Sequence, residues 1–177
     1  MAVLEILEFP DRRLTRPAEP VAAIDHDLER LLDDMLETMY AAPGIGLAAP
    51  QVGIAQRAFV ADLGGEGERQ PLYVINPEIV WRSADTTTAE EGCLSLPQQY
   101  GEVSRASAIR LRHQDLSGET REIEADGLLA RCLQHEVDHL NGVLFIDHLS
   151  ALKRTLIVRR LSKTQRSRSR RSARSRS

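Results

Sequence analysis

The chain has 177 residues, of which 42% are apolar and 28% charged, the make-up of one soluble globular domain with or without a tail. It holds no apolar run of membrane-spanning length, and two cysteines are too few for the disulfide framework of a small secreted fold. The net charge of -3 conceals a division: all 26 acidic residues lie at or before Asp147 beside 12 basic ones, a balance of -14, and 11 basic residues follow.

The opening MAVLEILEFPDRRL has neither a basic n-region nor a long apolar core, so no secretory signal is expected. A reducing, cytoplasmic setting then leaves both cysteines free for packing or for metal. Leu28, Leu31, Leu32, Met35, Leu36 and Met39 recur at helical spacing and predict a helix over residues 25–40, capped by Asp25 and ended by Pro43-Gly44. After a glycine-containing stretch, residues 56–62 and 71–80 read as strands joined by a turn at Gly64-Gly65-Glu66-Gly67. Residues 103–114 alternate as one further strand, and Ser117-Gly118 turns the chain into another over 120–124. A second helix is expected over 127–140, with Asp126 as its cap and Asn141-Gly142 as its stop. Its Leu128, Leu129, Cys132, Leu133, Val137 and Leu140 cover most of the circumference, which places it centrally. The fold class is α+β: antiparallel β-sheets packed around this helix, with a C-terminal helix.

The central helix contains His135-Glu136-Val137-Asp138-His139, an HExxH pattern. His135 and His139 stand one turn apart and about 40° apart round the axis, so both imidazoles can reach one ion. Glu136 projects to the side, where its carboxylate can meet a water on that ion without ligating it. Single histidines on apolar faces are usually satisfied core residues, but two with a glutamate would each need a buried partner, and one ion serves them all. Cys132 shares their face, yet three ligands from one straight helix would spread over about 10 Å of rise, too far to converge on one ion. Cys93, in Glu90-Glu91-Gly92-Cys93-Leu94-Ser95, is the candidate from another segment, which leaves Cys132 as a small apolar residue near the site.

Gly44-Ile45-Gly46-Leu47-Ala48-Ala49-Pro50-Gln51 allows close backbone approach and offers the Gln51 amide. It has no Lys-Ser/Thr pair and is not a phosphate loop.

These three segments, in this order and spacing, resemble the signature motifs of the peptide deformylases, and the likeness runs from Leu4-Glu5-Ile6-Leu7 to about Leu149-Ser150. The resemblance implies a cytoplasmic metallohydrolase that removes the N-formyl group from the initiator methionine of nascent chains and releases formate. It makes Cys93, His135 and His139 the metal ligands, Glu136 the general acid/base, and Gln51 with the Leu94 amide the oxyanion donors. The ion would be Fe²⁺ in the cell, with Zn²⁺, Ni²⁺ or Co²⁺ in purified protein. Gly44, Ile45, Gly46, Leu128 and Cys132 would meet the substrate. Glu91 is grouped with them but, like Asp138, also reads as a residue behind the ligands, with Arg105 as the expected partner of Asp138. Tyr100 stands where some members carry Arg, and Arg131 where some carry an apolar residue; the Arg131 stem could line the groove while its charge reaches water. Two alternatives remain at this point: a zinc endopeptidase, which HExxH alone fits, and a non-catalytic ribosome- or RNA-binding module.

Three parts are expected: a catalytic domain over 1–150, a basic amphipathic helix over 151–164 and a flexible Arg/Ser-rich tail over 165–177. The resemblance adds an expected partner for the basic end, the ribosome near its exit tunnel, and no membrane. Truncation after 147–150 or after Lys163 is expected to weaken that association and largely spare activity on short peptides.

Overall fold

A computed structural model describes residues 1–64 and 67–176. In chain order the elements are α1 (His26–Ala41), β1 (Gly46–Ala48), β2 (Ala58–Ala61), β3 (Leu72–Arg82), β4 (Thr86–Cys93), β5 (Leu96–Ala106), β6 (Ala108–Gln114), β7 (Thr120–Asp126), α2 (Gly127–Leu140) and α3 (Ala151–Arg174), with short 3-10 turns between some of them.

The strands form two antiparallel sheets. One has five strands in the order β1-β2-β3-β6-β7, and the other is the hairpin β4-β5. Strand β2 shows why the chain folds in layers. All four of its residues are buried. Phe59 and Ala61 pack with Ala130, Leu133, Val137 and Leu140 of α2. The alternate residues Ala58 and Val60 pack with Leu28, Leu32, Met35 and Met39 of α1. A strand covered on both faces needs apolar residues throughout. The hairpin contributes Leu96 and Val103 to a third cluster, with Phe145, Ile146, and Ile157 and Leu161 of α3.

The helices expected over 25–40 and 127–140 are present. Asp25 caps α1 by accepting from the Leu28 amide at 3.0 Å. Asp126 has extended backbone at the start of α2 but makes no side-chain cap bond, a correction to its expected role. Helix α2 ends at Asn141, and Gly142 follows with φ +71° against the Thr15 carbonyl, where a Cβ would not fit. Nine residues of α2 are buried, among them Arg131, Gln134, Glu136 and His139.

Other expectations need correction. Residues 103–114 are not one strand: the chain turns at Ser107, and β5 and β6 lie in different sheets. The corner is pinned where the Ser107 amide donates to the Asp85 carbonyl and the Ala108 amide to Ser83 Oγ. Strand β4 was not anticipated, because Thr86–Ala89 face solvent and show no apolar alternation. The short β1 falls in the stretch read as a glycine loop. In the expected Gly64–Gly67 turn, Gly65 and Glu66 lie outside the described residues.

The boundary expected after residue 164 is absent, and α3 runs on to Arg174 as one helix. Arginine is a good helix former, and the far half is tied down: Gln165 Nε2 donates to the Phe9 carbonyl at 2.7 Å and Arg168 pairs with Glu8 at 2.8 Å. Ser177 lies outside the described residues. No described helix is long and apolar enough to cross a membrane.

Candidate metal centre

His135 and His139 project from α2 toward Cys93 at the end of β4. His135 Nε2 and His139 Nε2 are 3.2 Å apart, and Cys93 Sγ is 3.3 Å from His139 Nε2. All three ligand atoms lie within 4.8 Å of one another. A tetrahedral ion with ordinary bonds to nitrogen and sulfur would separate such atoms by about 3.3–3.6 Å. One proton can bridge the two imidazole nitrogens, but Cys93 Sγ faces the same His139 Nε2 and competes for it, whereas an ion among the three takes a lone pair from each. The donor set therefore fits a divalent metal. Cys132, by contrast, points its thiol at the Ile45 carbonyl, 3.7 Å away, and burial keeps that thiol protonated.

Glu136 is 3% exposed, and its Oε2 has no partner among the described residues. Burial pushes its carboxyl up to about 7, against the pull of His135 and Arg105. Its carboxylate occupies space that a side chain at residue 46 would fill: a Cβ on Gly46 would overlap Glu136 Oε1. Burial also holds His139 well below the usual histidine range.

A charged layer stands behind the ligands. Glu91 Oε1 meets His135 Nδ1 at 2.9 Å and Arg105 Nη2 at 2.9 Å, while Oε2 accepts from Arg105 Nε at 2.6 Å and Arg131 Nη1 at 2.7 Å. Burial alone would raise the Glu91 carboxyl, but its bonds to His135 and Arg105 outweigh it and hold Glu91 below the usual carboxylate range. Arg105 also donates to Asp138 at 2.9 Å, as expected, and His148 Nε2 approaches Asp138 at 2.8 Å.

Glu91, grouped with the substrate contacts, borders the cavity and has both oxygens bonded to His135, Arg105 and Arg131. One expectation changes here. Arg131 does not send its charge to water: it is buried and donates to Glu91, to the Val103 carbonyl at 2.8 Å and to the Thr87 carbonyl at 2.7 Å. An arginine amid apolar neighbours carried no sign of that in the sequence. His148 was likewise missed, as it sits outside every motif.

Gln51 is 1% exposed. Its Oε1 accepts from the Ala48 amide at 2.9 Å, which turns Nε2 toward Ser95 Oγ at 3.1 Å and Cys93 Sγ at 3.5 Å. Ser95 is a second missed residue. The cavity in front of these groups measures about 450 Å³. Cys93, His135, Glu136 and Gln51 line it, with Gly44, Ile45, Gly46, Leu94, Leu128 and Cys132. Ile45, Leu128 and Tyr100 are exposed at its rim. The Tyr100 ring lies across Gly92, where a Cβ would come within 2.8 Å of Cε1.

A cysteine, two helix histidines and a glutamate meet at one cavity. The sequence profile of the polypeptide deformylase family matches residues 3–155. The chain belongs to that family. A peptide deformylase of Alkalilimnicola ehrlichii is 58% identical over 163 residues, covering 92% of this chain and 91% of the relative. One from Phenylobacterium zucineum is 54% identical over 164 residues, covering 92% and 97%. Among solved structures, the Legionella pneumophila peptide deformylase superposes with a TM-score of 0.89 at 46% identity, covering 96% of this chain and 99% of that one. The Ehrlichia chaffeensis peptide deformylase in complex with actinonin gives 0.89 at 42% identity, covering 94% and 99%. As a deformylase the chain is an enzyme, a metallohydrolase acting on N-formylmethionyl peptides. The endopeptidase and non-catalytic alternatives therefore fall.

Proposed function

We propose that Cys93, His135 and His139 hold one divalent ion and that Glu136, Gln51 and the Leu94 amide carry out deformylation around it. The observation that carries this reading is the convergence of Sγ and two Nε2 atoms beside a buried, half-unpartnered glutamate at the floor of an apolar cavity. The ion, when bound, acts as a Lewis acid toward the formyl oxygen and lowers the pKa of water. Thiolate and imidazole suit Fe²⁺, Co²⁺, Ni²⁺ and Zn²⁺; Fe²⁺ is the proposed native ion.

Glu136 Oε2 takes the proton of the attacking water and returns it to the departing amine. Its Oε2, without a partner among the described residues, is free to hold that proton between the two transfers. Gln51 Nε2 and the Leu94 N–H donate to the oxygen as charge develops there, and Gln51 is pre-aimed by the Ala48 amide. Gly44, Ile45, Gly46, Leu128 and Cys132 form the wall that accepts the methionine side chain.

The proposed setting is the cytoplasm, with the ribosome as partner of α3. Arg159, Lys163, Arg166, Arg170 and Arg174 are all exposed and fall within about 80° of one another round the helix axis. That stripe lies opposite the face carrying Ile157, Leu161, Gln165 and Arg168, which packs on or bonds to the body. A row of cations on the outward face suits RNA phosphates.

Glu136→Gln tests the chemistry. The variant should bind metal at parental stoichiometry and release no formate from a formyl-Met peptide; retained turnover would overturn the assignment.

A further inference from the structure

The two oxyanion donors proposed above come from separate elements, Gln51 from the 3-10 turn after β1 and Leu94 from the turn between β4 and β5. Residues 7–9 bond to both turns. The Leu7 amide donates to the Gln51 carbonyl at 2.7 Å, and the Phe9 amide donates to the Ser95 carbonyl at 2.8 Å. Amides two residues apart in an extended chain point the same way, so this segment spans the two turns like a crossbar. Its side chains alternate to match: Leu4 and Ile6 pack with the α1 cluster, Leu7 and Phe9 with the cluster of α3. The far side of the crossbar is clamped by α3, through Gln165 on the Phe9 carbonyl and Arg168 on the Glu8 carboxylate.

The geometry points to Gln165 and Arg168 as positioning residues for deformylation: they hold the Leu7–Phe9 crossbar, which sets the spacing between Gln51 and Leu94. The inference rests on the assignment of those two as oxyanion donors. It also gives the far half of α3 a task unconnected with its outward charges. Donors of this kind act in the transition state rather than on bound substrate, so loosening them lowers kcat and spares KM.

The test uses the full chain with Gln165→Glu and Arg168→Glu together, which set a carboxylate against the Phe9 carbonyl and another against Glu8. Both positions face solvent in part, so the fold persists. Amide exchange at Leu7 and Phe9 in the metal-free protein should accelerate at least tenfold. In the loaded enzyme kcat should fall about three- to tenfold with KM unchanged, the size of a partial misplacement. Adding Glu8→Arg, which restores the pair with reversed sign, should recover part of both losses. Accelerated exchange with unchanged kcat overturns the inference, as does exchange that does not change. Gln51→Ala separates the two levels. If it too leaves kcat unchanged, the donor assignment has failed; if it lowers kcat about a hundredfold while the clamp variant does not, only the crossbar has failed.

Discussion

Arg131 of α2 reaches across to Glu91 of β4 and donates to its carboxylate at 2.7 Å, with both side chains buried. The pair joins the element that supplies the two histidines to the element that supplies Cys93, and the Arg131 bonds to Thr87 and Val103 extend the joint along the hairpin. Losing Arg131 strips the buried Glu91 carboxylate of one of its two guanidiniums, Arg105 being the other, at a cost of about 2 kcal/mol. Arg131→Met should therefore lower the unfolding free energy of the metal-free protein by about that amount. It should also weaken metal binding about tenfold, the range seen when groups behind ligands are lost. Denaturant titration and competition with a chelator measure the two; parental metal affinity would show that the hairpin needs no such joint.

Gly46 makes a sharper prediction. Because a Cβ there would overlap the Glu136 carboxylate, Gly46→Ala must displace that carboxylate, the proposed general base. Formate release should drop about a hundredfold, the penalty of a displacement near 1 Å, with metal content and thermal midpoint close to parental. A variant that keeps full activity would mean that Glu136 has room to move without consequence.

Helices α1 and α2 were legible because their apolar residues recur at helical spacing, and β2 because it is apolar throughout. The histidine pair followed from one turn of helix, and Cys93 from the reach that a single helix lacks. The hairpin that carries Cys93 was not legible: β4 exposes Thr86–Ala89 and buries Glu91, so its pattern inverts the usual strand signature. Arg131, Ser95 and the Leu7–Phe9 crossbar were hidden for a related reason. Their partners are backbone carbonyls and charges brought close only by the tertiary fold, and no local periodicity encodes such pairings. The continuation of α3 past residue 164 was missed because composition speaks for an isolated segment, whereas Gln165 and Arg168 are anchored to residues more than 150 positions away.

Asp62 links stability to acidity at a distance from the metal ligands. It accepts from the Tyr40 hydroxyl at 2.5 Å, the Gly64 amide at 2.8 Å and the Gln70 amide at 3.1 Å. Burial would raise its carboxyl, but these bonds outweigh burial and hold it below its ordinary value. A folded-state pKa below the unfolded one contributes stability that is present above the unfolded value and lost as pH falls through the folded one. The thermal midpoint of the parent should thus decline on acidification below about pH 5. Asp62→Asn should start lower at pH 7 and lose less over the same interval. Equal losses in both proteins would assign acid sensitivity to other carboxylates, such as Asp11, held down to about 2 by Arg13.

The division of charge at Asp147 leads to the last prediction. The stripe of Arg159, Lys163, Arg166, Arg170 and Arg174 faces away from the body, so its five charges can be neutralised without touching Gln165 or Arg168. Truncation after Lys163 is a poorer test, because it removes the clamp on Phe9 and Glu8 together with the outward charges; activity on short peptides need not survive it intact. If five cations displace counterions from RNA phosphates, log K for ribosomes should fall with log salt at a slope near -4, about 0.7–0.9 per phosphate. Replacing the five by Gln should abolish most of that slope and weaken binding at low salt, with formate release from a short formyl-Met peptide as the check that the catalytic body is intact. Cosedimentation with ribosomes between about 50 and 200 mM salt reads the slope directly. Binding that is unchanged in the variant, or insensitive to salt in the parent, would place the contact elsewhere on the molecule and leave the basic helix as a solvated face.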